Sequence, residues 1–335
     1  MATRKYDATA TADALVAELA DEIKGKVILT TGVSPGGIGA TFVEAIAKAH
    51  PALLILAGRN VDKVAAVAAL LPEGVKTRVL QLDLASLAAV RAAADIVRQW
   101  KDVEHIDVVV NNAAIMATDF ALSPDGFESQ LATNHLGHFL FTNLIMDKIL
   151  ASKAPRVVNV SSDGHRLSPI RWADLNFSHK EETPGATYNK WTAYGQSKTA
   201  NMLMAISLAE KLGPKHGLLA YSLHPGVILS SNLGNHIDWT ADLSSLRELP
   251  GPIGAWKPEG WSAFKTKTAQ EGAATHVYAA FEPSLKAHNG AYLEDSHVAD
   301  PWIETVKPWA TNSIEAERLW KLSQELVDQE FKYEE

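Results

Sequence analysis

The 335-residue chain is 47% hydrophobic, enough to bury a substantial core in one large α/β domain or in two small ones. Its 31 basic and 39 acidic side chains leave a net charge of −8 with no basic stripe to follow a phosphate backbone, which argues against a nucleic-acid partner. With no cysteine, disulfides, thiolate nucleophiles and Cys-ligated zinc or iron–sulfur sites are excluded.

In chain order, Leu15, Leu19 and Ile23 recur at four-residue spacing and predict a short amphipathic helix packed on the domain. The surrounding Asp13, Glu18, Asp21 and Glu22, and the lack of a continuous apolar run, argue against a secretory signal or a membrane anchor. The expectation is a soluble, cytoplasmic protein without a membrane span. Short β-branched apolar runs then alternate with longer Ala- and Leu-rich stretches of helical period, the pattern of βαβ units on a parallel sheet. Strands are predicted at 26–31, 52–57, 77–82, 106–111, 156–161 and 218–223, with a seventh near 291–293. Helices are predicted at 38–49, 86–100, 134–150 and 192–212. The fold class expected is α/β, a single Rossmann-type doubly wound parallel sheet flanked by helices.

Two elaborations are expected on it. The segment at about 229–268, rich in Trp, Pro and Gly and poor in periodicity, reads as a substrate lid. Beyond about Asn312, Leu319, Leu322 and Leu326 recur at helical spacing beside Trp320 and Val327, and predict a packed C-terminal helix. The organisation is an N-terminal extension over 1–25, a catalytic domain over 26–310 and a helical extension over 311–335.

A glycine-rich loop, Thr31-Gly32-Val33-Ser34-Pro35-Gly36-Gly37-Ile38-Gly39, lies between the first predicted strand and its helix. Glycines at that point let backbone N–H groups at a helix N-terminus approach a pyrophosphate, whose charge the helix dipole favours. The second strand ends at Arg59-Asn60, where a dinucleotide fold selects its ribose. Arg59 offers a planar fork to a 2′-phosphate, so NADP(H) is the expected cofactor; a plain surface arginine beside the next helix is the bland reading.

Thr31 to Gly39, Asp83, Asn111-Asn112-Ala113-Ala114, Asn134, Ser162, Tyr194-Gly195-Gln196-Ser197-Lys198 and Pro225-Gly226 follow one another in the order of the short-chain dehydrogenase/reductase motifs, which the sequence resembles over about residues 26–230. The stretch Asn134-His135-Leu136-Gly137-His138-Phe139 is similar to retinol-dehydrogenase-like and WW-domain-oxidoreductase-like members. The resemblance implies a catalytic set of Asn134, Ser162, Tyr194 and Lys198, with Tyr194 as proton donor to a carbonyl oxygen. It selects Ser162 over the neighbouring Ser161 and gives Asn134 a part in a water-linked proton relay behind Lys198. It also implies that Lys198 binds the nicotinamide ribose. Around the cofactor it places Gly32, Ser34, Gly37, Ile38, Gly39, Asp83, Leu84, Asn112, Ala113, Ala114, Pro225, Gly226, Val227, Ile228 and either Ser230 or Ser231. Helices carrying Asn134 and Tyr194 form subunit interfaces in many members, so a homo-oligomer is compatible with the resemblance.

Physical chemistry bears on the Tyr-Lys pair independently. Tyr194 and Lys198 are four apart in a helical segment and share a face. A cation about 5 Å from the phenol at an effective dielectric of about 20 favours the phenolate by on the order of 3 kcal/mol. The reaction expected is hydride transfer between nicotinamide and a hydrophobic ketone or aldehyde. The alternatives are a non-catalytic NADP-binding sensor, which usually lacks the Tyr or Lys, and an extended-type epimerase or dehydratase, which carries a different glycine spacing.

Several assignments stay open from sequence. The glycine loop is one residue longer than usual, leaving the middle role to Gly36 or Gly37, and Ala114 stands where glycine is common. Asp83 suits either adenine or a helix cap. His165 suits either the substrate or the core, and Trp239, Trp256 and Trp261 either a pocket wall or plain packing. His135 and His138 are three apart, but no further ligand accompanies them, so no metal is expected.

Overall fold

The computed structural model describes residues 5–178, 185, 187–238, 242, 246 and 265–333. Its chain enters through α1 (Ala12–Glu18), capped by the Thr11 side chain, and the single turn α2 (Ala20–Ile23). Strand and helix then alternate: β1 (Val27–Thr31), α3 (Ile38–Ala47), β2 (Leu53–Gly58), α4 (Val61–Ala68), β3 (Thr77–Gln81), α5 (Leu87–Gln99) and β4 (Val108–Asn111). The short α6 (Ser129–Leu131) runs through a π-type turn at Ala132–Leu136 into α7 (Gly137–Leu144), then α8 (Met146–Leu150) and β5 (Arg156–Val160). The 27-residue α9 (Lys190–His216) and β6 (Leu219–His224) follow, then α10 (Ala269–Phe281), β7 (Tyr292–Glu294), β8 (His297–Val298) and α11 (Ser313–Leu326).

The eight strands form one sheet in the order β3-β2-β1-β4-β5-β6-β7-β8, parallel except for β8. Side chains alternate across it, because successive Cβ atoms of a strand point to opposite faces. Ile28, Val110, Val158 and Leu223 pack with Phe42, Val277 and Phe281 beneath α1, α3 and α10. Leu29, Val109, Val157 and Ala220 pack with Val90, Phe139 and Leu208 beneath α5, α7 and α9. Both faces are covered, which is why the strands read as continuous apolar runs. The strand order reverses beside β1, where the connections after β1 and β4 part to opposite sides and leave a crevice at the strands' C-terminal ends. Among the described residues no helix is long and apolar enough to cross a membrane.

The predicted strands and the doubly wound sheet agree with this architecture, and four elements depart from the sequence reading. The helix expected over 134–150 is divided: it opens with the π-type turn and breaks at Ile145 (φ −103°, ψ 10°). The expected 192–212 helix extends at both ends, tolerates Pro214 in its last turns and stops at Gly217, whose φ of 67° suits the left-handed C-terminal cap. Helix α10 and the antiparallel strand β8 have no counterpart in the sequence reading.

Candidate active site

The crevice opens into a cleft of about 1090 Å³ running from the loop after β1 to the ends of β5 and β6. Its floor at the β1 end is set by close backbone approach. Gly32 takes φ +72°, and a Cβ there would lie 2.6 Å from Ala113 Cα, so the glycine loop can rest on β4 only without a side chain. The Asn112 side-chain amide donates to the Thr31 carbonyl at 2.8 Å and fastens the two strand ends together. Gly36 makes the turn at φ +73°, whereas Gly37 caps the N-terminus of α3 and lines the cleft with Gly32, Ser34 and Ile38. Gly39 does not line it; a Cβ there would meet Asn112 Nδ2 at 2.6 Å, so this glycine lets α3 pack on β4.

Arg59 lies exposed on the cleft rim, with no hydrogen bond or ion pair among the described residues. Capping of α4 falls to Asn60, whose side chain accepts the Lys63 N–H at 3.0 Å. Asp83 and Leu84 line the same end; Asp83 accepts from the Ala85 N–H at 3.1 Å, and the cap of α5 is Ser86. Asn112, Ala113 and Ala114 complete this half.

Tyr194, Lys198 and Ser162 meet at the other half. Tyr194 is 5% exposed and lies beside Ser162 next to Gly164. Burial pushes its phenol up to about 12; the neighbouring Ser162 hydroxyl opposes this and the nearby Asp163 carboxylate adds to it. Lys198 Nζ sits 5.6 Å from the Tyr194 ring centre and donates to the Val160 carbonyl at 2.9 Å. Burial pushes this ammonium down to about 7. The phenolate stabilisation expected from sequence is therefore outweighed in the protein alone, because the phenol is itself desolvated. Ser161 donates to the Lys198 carbonyl at 2.8 Å, while Ser162 Oγ accepts the Gly164 N–H at 2.9 Å and keeps its own proton to donate. Gly164 is obligatory for this contact, since a Cβ there would lie 2.7 Å from Tyr194 Cε1.

Asn134 lies fully buried behind the cleft and does not line it. Its Oδ1 accepts the Ile115 N–H, and its Nδ2 spends both hydrogens, on the Ile115 carbonyl and on Ser197 Oγ, all at 2.9 Å. It braces the wall and has no side-chain donor left for a relay. His165 is buried with its Nδ1 2.8 Å from the Ser162 carbonyl, so it belongs to the core. His135 and His138 face different partners, Ser323 and Thr31.

After β6, Pro225, Gly226, Val227 and Ile228 line the cleft, as does Ser231, while Ser230 does not. The chain then crosses above the site as a strap. Asn232 Nδ2 donates to the Pro35 carbonyl at 2.6 Å, and His236 Nε2 lies 2.8 Å from the Met116 carbonyl. This is the first part of the expected lid; Trp239, Trp256 and Trp261 lie outside the described residues.

Sequence reasoning passed over the groups that surround Ser162. Asp163 and Arg166 form a 3.0 Å ion pair on the cleft wall. His224 ends β6 in the lining, with a buried Nδ1 that has no hydrogen-bond partner among the described residues. Their position at strand C-terminal ends was the available signal. Met116, Leu167, Trp191, Leu229 and Leu233 make the remaining wall largely apolar.

Comparison with known proteins is consistent with this geometry. A family model described as short chain dehydrogenase matches residues 26–173. The chain is 36% identical to short-chain dehydrogenase/reductase prx1 of Penicillium rubens, over 92% of this chain and 86% of that protein. It is 34% identical to mouse retinol dehydrogenase 11, over 91% of this chain and 87% of the other. It is 35% identical to the zebrafish WW domain-containing oxidoreductase, over 92% and 70%. Among solved structures, an uncharacterized protein from Mycobacterium paratuberculosis superposes with a TM-score of 0.68 at 29% identity, covering 94% of this chain and 98% of that one.

Proposed function

The chain belongs to the short-chain dehydrogenase/reductase family, oxidoreductases that use nicotinamide cofactors, and from that premise we propose that it is an NADP(H)-dependent carbonyl reductase/alcohol dehydrogenase acting on a hydrophobic ketone or aldehyde. One observation carries the reading: the Tyr194 ring and the Ser162 hydroxyl converge on Gly164 at the cleft wall, 2.7 and 3.2 Å from where a Cβ on that glycine would stand, with Lys198 Nζ over the ring. A carbonyl oxygen placed between the two hydroxyls receives a hydrogen bond from Ser162 and a proton from Tyr194.

The residues present fit a dinucleotide. The glycine loop, resting on the end of β4 without a side chain at Gly32, brings the N-terminus of α3 to the cleft, and Lys198 lies buried with a single hydrogen-bond acceptor among the described residues for its three donors. Bound there, the cofactor supplies or accepts the hydride. Arg59 favours the 2′-phosphate form, since its guanidinium has no partner among the described residues and faces the rim where the ribose is selected. The apolar wall from Met116 to Leu233 favours a hydrophobic substrate.

NADPH consumption across a panel of aldehydes and aryl, steroidal and aliphatic ketones, with NADH alongside, tests the reading. Tyr194→Phe is expected to lower kcat by about 10² to 10⁴ while leaving NADPH affinity in place; full activity in that variant removes Tyr194 from the reaction. Arg59→Asp is expected to invert the NADPH:NADH preference, and an unchanged ratio rejects the 2′-phosphate assignment. Cofactor binding with no turnover on any carbonyl favours a sensor on the same fold.

A further inference from the structure

His138 on α7 is 2% exposed, and both of its ring nitrogens are engaged. The Thr31 hydroxyl accepts the N–H groups of Asn112 and Ala113, each at 3.0 Å, which fills its two lone pairs. Its own proton therefore goes to His138 Nε2, 2.8 Å away. That fixes the imidazole as the Nδ1–H tautomer, and Nδ1 donates to the Asn134 main-chain carbonyl at 3.1 Å. One neutral ring thus ties the last residue of β1, where the glycine loop starts, to the π-type turn. Such turns admit an extra residue into a helix and so redirect the side chains around them. From this one, the Asn134 amide grips Ile115 and donates to Ser197, whose hydroxyl in turn donates to the Tyr194 carbonyl at 2.7 Å.

We propose that His138 is a positioning residue for the reaction, acting through two separate atoms. Nε2 holds Thr31, and with it the joined ends of β1 and β4 on which the glycine loop rests. Nδ1–H holds the turn from which Asn134 braces the helix of Tyr194. The ring touches neither ligand; it keeps the cofactor cradle and the proton donor in a common register. Because the two tasks fall on different atoms, they can be removed one at a time. Asparagine places a donor where Nδ1 stands and nothing at Nε2. Glutamine places an acceptor where Nε2 stands and nothing at Nδ1. Phenylalanine removes both.

The inference rests on the oxidoreductase reading for its catalytic half only. NADPH affinity, kcat and the melting temperature are measured for the wild type, His138→Asn, His138→Gln and His138→Phe, with Tyr194→Phe alongside. His138→Asn is expected to lose about tenfold in NADPH affinity and less in kcat. His138→Gln is expected to lose about tenfold in kcat and less in affinity, and His138→Phe to lose both. A common fall in both quantities for the Asn and Gln variants, in step with their melting temperatures, means plain packing and overturns the proposal. If the wild type shows no turnover that Tyr194→Phe removes, the oxidoreductase reading fails. The affinity arm then decides alone: equal NADPH affinities of the Asn and Gln variants overturn the role of His138.

Discussion

Lys198 is the residue whose environment costs the fold most plainly. It is 2% exposed, and burial draws its ammonium from an ordinary 10.5 to about 7. Between those two values the unfolded chain holds a proton at this site that the folded chain has released, so stability rises with pH across that window. The penalty is complete below about pH 7 and gone above about 10.5. Lys198→Met is therefore expected to raise the melting temperature of the cofactor-free protein, by several degrees at pH 6 and by progressively less toward pH 10, as thermal melts at a series of pH values would record. A gain that does not vary with pH means the side chain's charge is not what burial penalises. The same burial acts on its neighbour: Tyr194 and Lys198 are desolvated together, and each is held toward its neutral form.

At the scale of elements, what could be read from sequence was what is local. The glycine loop is a run of neighbours between a strand and a helix, and Tyr194 and Lys198 share a face of α9 because they are four apart. Asn312, where the C-terminal stripe of leucines begins, caps α11 by accepting from the Ile314 and Glu315 N–H groups. Helix α10 shows a local signal left unused. Thr268 and Glu271 form a reciprocal capping box at its start, a spacing visible in sequence but masked by the aperiodic run before it. Other features were not legible because they depend on partners far along the chain. The π-type turn is bound up with Asn134 reaching Ile115 and Ser197, 19 and 63 residues away. The strap is placed by contacts with Pro35 and Met116, 197 and 120 residues distant. No periodicity records pairings of that kind.

For the whole molecule, the C-terminal extension determines which surfaces remain open. Helix α11 lies on α9, Trp320 meets Phe139 edge to face at 4.9 Å, and the Arg91 guanidinium holds the Val327 carbonyl beyond its end. Leu131, Ala200 and Leu203 are buried by Ala316 and Leu319 from this helix. The apolar faces of α7 and α9 that these contacts bury are thus covered by the chain itself. Light scattering is expected to find the full chain monomeric, and a chain ending at residue 311 to self-associate through the uncovered apolar face. A full-length dimer would locate the contact elsewhere on the surface.

The strap bridges the cleft from above. It leaves β6 and grips the loops after β4 and β1, and the strands run in the order β1, β4, β5, β6, so Ser162 at the end of β5 lies beneath its path. A cleft bridged above admits molecules by girth before it measures their length. Among carbonyl compounds matched for hydrophobicity, slender chains and flat rings are expected to show higher kcat/KM than branched or bulky ones, and a matched series with no such trend would mean that the strap lifts freely.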